Sequence, residues 1–327
     1  MINFKIGIMG AGHIAGTVAD TIGKLDAFEV SAVASRSVVK AEEFAKAHNI
    51  ETYYGSYEAL ASDPDVELIY IATPHAFHAE QAKMCLNAGK PVLVEKAFSY
   101  DAKTTEEVFK LAEEKHLFCG EAMWIRFMPI YKLLCTVIRD GMIGHVNHIA
   151  MSLGYDIKTK ERIGEPSLAG GALLDLGVYP INVMSMIYGM APKGVSSTCV
   201  KLNTGMDAQE NLHFHFNQAQ TADAFVTVMY DMDNRCFIYG DAGMIEVDNI
   251  NNPKEFTVYT AKREVRLSAK IPETQISGYE YEFIAARDAI ITGKTECPEI
   301  THAESVRIMK LMDSLREAWQ IKFPMEA

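Results

Sequence analysis

Phe4-Lys5-Ile6-Gly7-Ile8-Met9-Gly10-Ala11-Gly12-His13-Ile14-Ala15-Gly16 opens the chain with a short apolar run, a glycine hinge and the start of a helix. The run Ile6 to Met9, bounded by glycine, suits a central strand of a parallel sheet. Gly10-x-Gly12-x-x-Ala15 has the G-x-G-x-x-G/A spacing of a dinucleotide fingerprint. Gly10 permits the tight turn, and Gly12 lets the backbone N–H groups at His13 and Ile14 approach a pyrophosphate at the positive helix end. The small Ala15 lets helix and strand pack closely. Ile14, Val18, Ile22 and Leu25 continue at helical spacing, so strand, turn and helix stand in the order a nucleotide site needs.

Working outward, Phe28 to Ser35 reads as a second strand ending in Ser35-Arg36-Ser37. An NAD-type site places a carboxylate here for the ribose 2′-OH. Ser35 and Arg36 instead offer a hydroxyl and a guanidinium fork, which suit a 2′-phosphate and select NADP(H), with NAD as the alternative cofactor. A solvated turn arginine is the competing local reading. Ala41 to His48 is helical by composition, and Val66 to Ala72 is an apolar strand running into Thr73-Pro74-His75, at the strand end where ligands of open α/β sheets sit. Pro74 leads into a helix over Ala76 to Leu86. His75 and His78 stand three apart on it, but no further ligand lies at a recognisable spacing, so no metal is expected. His78 either lines the nicotinamide pocket or simply begins the helix. A further strand, Val92 to Val94, delivers Glu95-Lys96-Ala97 to the same end of the sheet. There Lys96 can orient a substrate oxygen or relay a proton; a surface Glu-Lys pair is the local alternative.

The chain has 327 residues, 49% hydrophobic and 23% charged, enough for two domains with cores of their own. A division into 1–121 and 122–327 follows from the crossing near Cys119 to Glu121. No run of about 18 apolar residues and no basic-then-apolar leader appears, so neither a membrane span nor export is expected. Six cysteines without a C-x-x-C pair fit a reducing compartment, the cytoplasm. A net charge of −12 argues against nucleic acid as a partner.

Past the crossing, Tyr131 to Arg139 reads as a helix. Alternating strands follow over His145–Tyr155, Val195–Leu202, Asn211–Asn217, Ala222–Asp231, Arg235–Gly240, Met244–Asp248 and Glu255–Ala261. The expected architecture is therefore α/β: a doubly wound parallel sheet, then an α+β domain with an open, mostly antiparallel sheet. His213 and His215 fall on one strand face, Leu212, Phe214 and Phe216 on the other. The apolar side of such a sheet needs helices or another subunit over it, which makes a homo-oligomer through this sheet an expectation. Ala303 to Trp319 reads as a closing helix with Val306, Met309, Leu311, Met312 and Leu315 buried. Gly170-Gly171 looks like a loop feeding a helix over Ala172 to Ile187, placing Asp175 and Tyr179 on one face. Spacing alone leaves these two between chemistry and packing.

Gly10-Ala11-Gly12, Ala72-Thr73-Pro74 with His78, and Ala88-Gly89-Lys90-Pro91-Val92-Leu93-Val94-Glu95-Lys96-Ala97 resemble the glucose–fructose oxidoreductase / inositol dehydrogenase / MocA-like family, which usually has proline where this chain has Ala97. The likeness runs on through Glu121-Ala122-Met123-Trp124-Ile125-Arg126-Phe127-Met128-Pro129 and Gly170-Gly171-Ala172-Leu173-Leu174-Asp175-Leu176-Gly177-Val178-Tyr179. It reaches Gly278-Tyr279-Glu280-Tyr281-Glu282 and Glu296-Cys297-Pro298-Glu299. Many sugar and inositol dehydrogenases of the family carry histidine where this chain has Tyr179. Tyrosine there, with Trp124-x-Arg126-Phe127, resembles the branch containing dimeric dihydrodiol dehydrogenase and NADP-dependent xylose dehydrogenases.

The resemblance implies that Lys96, Asp175 and Tyr179 form the reacting set for hydride transfer between nicotinamide C4 and a hydroxyl or carbonyl carbon of a sugar, diol or related small molecule. Tyr179 would handle the proton, with Lys96 its rival, and Asp175 would hold Lys96 or the substrate. Trp124 and Arg126 would wall the substrate pocket, with Phe127 and Tyr155 as further lining. Two other classes compete: a glycosidase that keeps its NAD tightly bound, and a nucleotide-responsive regulatory protein on the same scaffold.

Overall fold

The computed structural model describes residues 3–189, 191–216 and 220–326. Strands β1 (Phe4–Met9), β2 (Phe28–Ala34), β3 (Thr52–Tyr54), β4 (Leu68–Ile71), β5 (Val92–Glu95) and β6 (Cys119–Ala122) form a parallel sheet in the order β3-β2-β1-β4-β5-β6. Helices α1 (His13–Ile22), α2 (Val38–His48), α3 (Tyr57–Ala61), α4 (His75–Asn87) and α5 (Ala102–Lys115) connect them. The central strands β4 and β5 are buried at every position, which explains their unbroken apolar runs. The expected strands and helices of this region are present. The short β3 and α3, and the charged α5, have patterns too brief or too polar to stand out. α5 is nonetheless capped by Asp101, whose carboxylate accepts the Thr104 N–H at 2.7 Å, and it buries Val108, Phe109 and Ala112.

The remaining chain begins with α6 (Pro129–Arg139) and β7 (Val146–Gly154), then a short α7 (Glu161–Gly164) and a π-helical turn over Leu173–Gly177 that runs directly into α8 (Val178–Tyr188). Seven strands follow: β8 (Gly194–Lys201), β9 (Asp207–His215), β10 (Thr221–Thr227), β11 (Cys236–Gly240), β12 (Gly243–Val247), β13 (Glu255–Thr260) and β14 (Val265–Lys270). With β7 they make an eight-stranded mixed sheet, β14-β13-β12-β11-β7-β10-β9-β8, in which only the β7–β10 pairing is parallel. This is the open, mostly antiparallel sheet expected. Its edge strand β14 was not foreseen, because its side chains alternate between exposed and half-buried and carry no apolar period. β9 begins four residues earlier than Asn211, and Asn217 lies outside the described residues. Leu212, Phe214 and Phe216 are buried while His213 and His215 point to the other face, as alternation required.

Last come α9 (Glu280–Ile291) and α10 (His302–Ala318). On α10, Met309, Met312 and Leu315 are buried as expected, whereas Val306 and Leu311 are only half-buried and Ile308 takes a core place. The sequence reading cut the chain once, at 121/122. The folded chain divides instead into 1–124 with 276–309, and 125–275 with 310–327. The late segment joins the first unit through named contacts: Phe283 stands edge-on to Tyr70 at 5.2 Å, His302 Nε2 lies 2.8 Å from the Cys119 carbonyl, and Ser305 donates to Glu121 at 2.6 Å.

One stretch, Pro166–Tyr188, does have the length and apolarity of a membrane span, contrary to the sequence expectation, but 89% of its apolar window is buried inside the protein. It is the central helix of the second unit. All six cysteines are free thiols, and burial pushes Cys85 on α4 and Cys236 on β11 up to about 12.

Candidate active site

In the first unit, the sheet order reverses at β1, which has β2 on one side and β4 on the other. The loops after β1 and β4 therefore leave a crevice at their carboxyl ends. Gly10 takes φ +112, and a Cβ there would stand 2.7 Å from the Ala72 carbonyl oxygen. Only glycine fits. Gly12 is exposed, with nothing within 4 Å of where its Cβ would be, and it sits at the N-cap of α1 with no side chain capping the helix. The N–H groups at His13 and Ile14 thus open the helix toward free space. Ala15 is fully buried, as close helix–strand packing needs.

Ser35 is buried at the end of β2, and its Oγ accepts the Ser37 N–H at 3.4 Å. Arg36 is exposed, with its guanidinium 5.7 Å from the Phe77 ring centre. Phe77 and the neighbouring Tyr57 had no signal of their own in the sequence; Tyr57's hydroxyl is pushed up by burial, with Arg36 opposing that shift. Thr73 is half-buried and donates from Oγ1 to Gln81 at 2.5 Å. Pro74 caps α4. His78 is fully buried, its Nε2 2.6 Å from the Thr73 carbonyl and its Nδ1 3.1 Å from that of Ala97. Burial holds the ring below the ordinary histidine value, against the pull of those carbonyls. His78 therefore ties the β4 loop to the lysine loop rather than presenting a face to a ligand.

Glu95 ends β5 and is buried; Tyr70 donates to its Oε1, and its Oε2 accepts the Lys96 N–H at 3.2 Å. The Tyr70 hydroxyl is pushed well up, first by burial and then by Glu95. Lys96 follows, half-buried, with a cis peptide to Ala97. Glu95 is thus a support for the lysine loop. Glu282 on α9 is fully buried, and burial followed by the charge of Glu95 raises its carboxyl well above the usual range. Trp124 is buried and stacks on Tyr279, ring centres 4.2 Å apart and planes 10° from parallel, so one of its faces is covered.

In the second unit, Asp175 lies within the π turn, buried, with Oδ1 2.6 Å from Arg162 Nη1. The wider π turn replaces the simple four-residue stacking expected for Asp175 and Tyr179. Tyr179 is buried in the first turn of α8. Arg162 was missed because it sits in the polar run Lys158-Thr159-Lys160-Glu161-Arg162, which reads as solvated loop. Arg126 is buried and donates from Nε to Asn182 Oδ1 at 2.6 Å, while Asn182 donates to the Val178 carbonyl at 2.8 Å. Its fork braces α8. Phe127 is buried in the core, and Tyr155 is half-buried with its hydroxyl donating to Asn251 at 2.9 Å.

The first unit matches the model of an oxidoreductase family with an NAD-binding Rossmann fold over residues 4–122, and residues 131–246 match the GFO/IDH/MocA C-terminal domain. Among similar curated proteins, trans-1,2-dihydrobenzene-1,2-diol dehydrogenase of Xenopus tropicalis is 31% identical over 98% of this chain and 99% of its own. The Bos taurus enzyme of the same name is 32% identical over 98% of each. Among solved structures, an aldose-aldose oxidoreductase from Caulobacter crescentus superposes with TM-score 0.87 at 18% identity, covering 97% of this chain and 98% of that one. A 3-ketoreductase from Actinomadura kijaniata, crystallised with NADP and TDP-benzene, gives 0.85 at 24% identity, covering 96% and 97%. Fold, glycine turn and relatives agree: the chain belongs to the Gfo/Idh/MocA family and is a nicotinamide-dependent oxidoreductase.

Proposed function

We propose that the chain is an NADP(H)-dependent dehydrogenase or reductase that interconverts a hydroxyl and a carbonyl on a diol, sugar or related small molecule. The observation that carries this reading is the open turn at Gly12 combined with Ser35 and Arg36 where an NAD-type site has a carboxylate. The unfilled space beside Gly12 and the uncapped start of α1 fit a pyrophosphate, and Arg36 fits a 2′-phosphate. The dihydrodiol dehydrogenase relatives and the ketoreductase crystallised with NADP support the same direction.

Gly10, Gly12, His13, Ile14, Ser35, Arg36, Thr73 and Pro74 hold the nucleotide in this reading, with His78 and Glu95 fixing the loops on which Thr73 and Lys96 sit. The nicotinamide supplies or accepts a hydride at C4. Lys96 orients the substrate oxygen and steadies charge on it, Tyr179 gives or takes the hydroxyl proton, and Asp175, held by Arg162, positions the reacting set. Trp124 supplies an apolar wall; Arg126, Phe127 and Tyr155 act behind it. We place the protein in the cytoplasm on its free thiols, and as a homo-oligomer through the outer face of the second sheet, where half-buried Phe225, Phe237 and Tyr239 stand.

Titration with NADPH and NADH, followed by loss of nicotinamide absorbance over a panel of diols, sugars and dicarbonyls, tests the reading. NADPH binds more tightly, and at least one panel member turns over. Lys96→Ala lowers that turnover about 1000-fold while NADPH affinity stays within about threefold. An undiminished rate in the variant refutes the assignment of Lys96. Nucleotide that co-purifies and never turns over would favour the glycosidase; binding without turnover would favour the regulatory protein.

A further inference from the structure

Asp207 and Glu210, near the start of β9, are 1% and 0% exposed. The Leu173 N–H donates to Asp207 Oδ2 at 2.5 Å, tying the acid to the first residue of the π turn. A Cβ on Gly171 would stand 2.2 Å from Asp207 Oδ1, and one on Gly177 would stand 3.1 Å from Glu210 Oε2. The two acids therefore press against both ends of the segment that carries Asp175. Among the described residues, no donor from elsewhere reaches either Glu210 oxygen.

Burial, then the charge of Asp207, push the Glu210 carboxyl well above the usual range, and a hydrogen bond to Asp207 adds to the effect. The groups around the pair leave it without a cation. Across β8, Cys199 stands opposite Glu210 and Lys201 opposite Asp207; across β10, Val226 stands opposite Glu210. The Lys201 ammonium lies 3.4 Å from the Gln320 carbonyl, the Cys199 thiol is pushed to about 12, chiefly by burial, and Arg162 is paired with Asp175. Two adjacent buried carboxyls without a counter-charge cannot both ionise.

We propose that Asp207 and Glu210 share one proton, Glu210 donating to Asp207, and that the pair positions the glycine and π turns bearing Asp175 and leading to Tyr179. This rests on the reading of Asp175 and Tyr179 as reacting residues. Glu210 is a positioning residue: its proton leaves both Asp207 oxygens as acceptors, one for Leu173 N–H and one for Glu210 itself. An ionised Glu210 would repel Asp207 and loosen the turn.

The experiment uses the full chain with Glu210→Gln, Glu210→Met and Tyr179→Phe. Infrared difference spectra between wild type and Glu210→Gln at neutral pH show loss of one protonated-carboxyl band; no loss overturns the shared proton. Glu210→Gln, whose amide still donates to Asp207, keeps kcat within about threefold. Glu210→Met lowers kcat about 100-fold with NADPH affinity and KM nearly unchanged, as a misplaced reacting group does. A Glu210→Met rate equal to wild type, with Tyr179→Phe inactive, overturns the positioning role alone. A fully active Tyr179→Phe overturns instead the reading of the reacting set, and the infrared band still decides the shared proton. If Glu210→Met does not fold, an inactive Glu210→Gln overturns the proposal.

Discussion

The two glycine turns of this chain look alike in sequence and owe their glycines to opposite causes. At Gly12 no protein atom stands where a side chain would go; at Gly170 and Gly171 the space is already taken, by the Ile163 carbonyl oxygen at 2.4 Å and Asp207 Oδ1 at 2.2 Å. The first turn is small to admit something from outside. The second is small to let the protein close on itself. A glycine motif thus reports close approach, and only the structure tells whether the approaching group is ligand or protein.

That contrast can be broken most decisively at the filled turn. Gly171→Ala puts a Cβ onto Asp207 at a residue with φ +115, and should cost about 3 kcal/mol or more of stability in urea unfolding. A stable Gly171→Ala protein would mean that the acid pair yields easily. At the open turn the same change should leave the urea midpoint in place and lower NADPH affinity roughly 100-fold, the loss of one charge-assisted bond to phosphate. A Gly12→Ala variant that unfolds early would make the two turns equivalent. Arg36→Ala is a smaller perturbation beside the open turn: NADPH affinity falls roughly tenfold by calorimetry, while NADH is little affected. Equal weakening of both would remove the 2′-phosphate role.

The smallest effect compares the buried acids of the two units. Glu282 and Glu210 both have carboxyls raised well above the ordinary range, chiefly by burial. Each binds its proton more tightly folded than unfolded, so its contribution is full below the unfolded value of about 4.3 and is lost as pH rises through the folded one. Unfolding free energy should decline with rising pH over that window, and Glu282→Gln should flatten part of the decline. An unchanged slope would show that Glu282 ionises in the folded protein.

The alternation of apolar strand, glycine turn and helix made the first sheet legible, and period-two patterns revealed all but one strand of the second. What escaped was the information that only packing supplies. The return of 276–309 to the first unit depends on Phe283 meeting Tyr70 and on Ser305 meeting Glu121, contacts between residues far apart in the chain. The π turn has no residue pattern distinct from an α-helix, so Asp175 was placed on the wrong spacing. Arg126 illustrates the limit at the site: its type suggested a fork for substrate, yet its Nε is spent on Asn182. Lys96 was legible because a strand end fixes position along the chain, whereas the Arg162 partner of Asp175 was hidden in a polar loop.

The buried thiols make each half of the molecule a clock for its own breathing. A thiol reacts as its thiolate, and at neutral pH Cys85 and Cys236 hold almost none while they stay enclosed. Alkylation at each must await an opening, of α4 in one unit or β11 in the other. Labelling rates read from the two cysteine peptides therefore give two separate opening free energies from one protein in one tube.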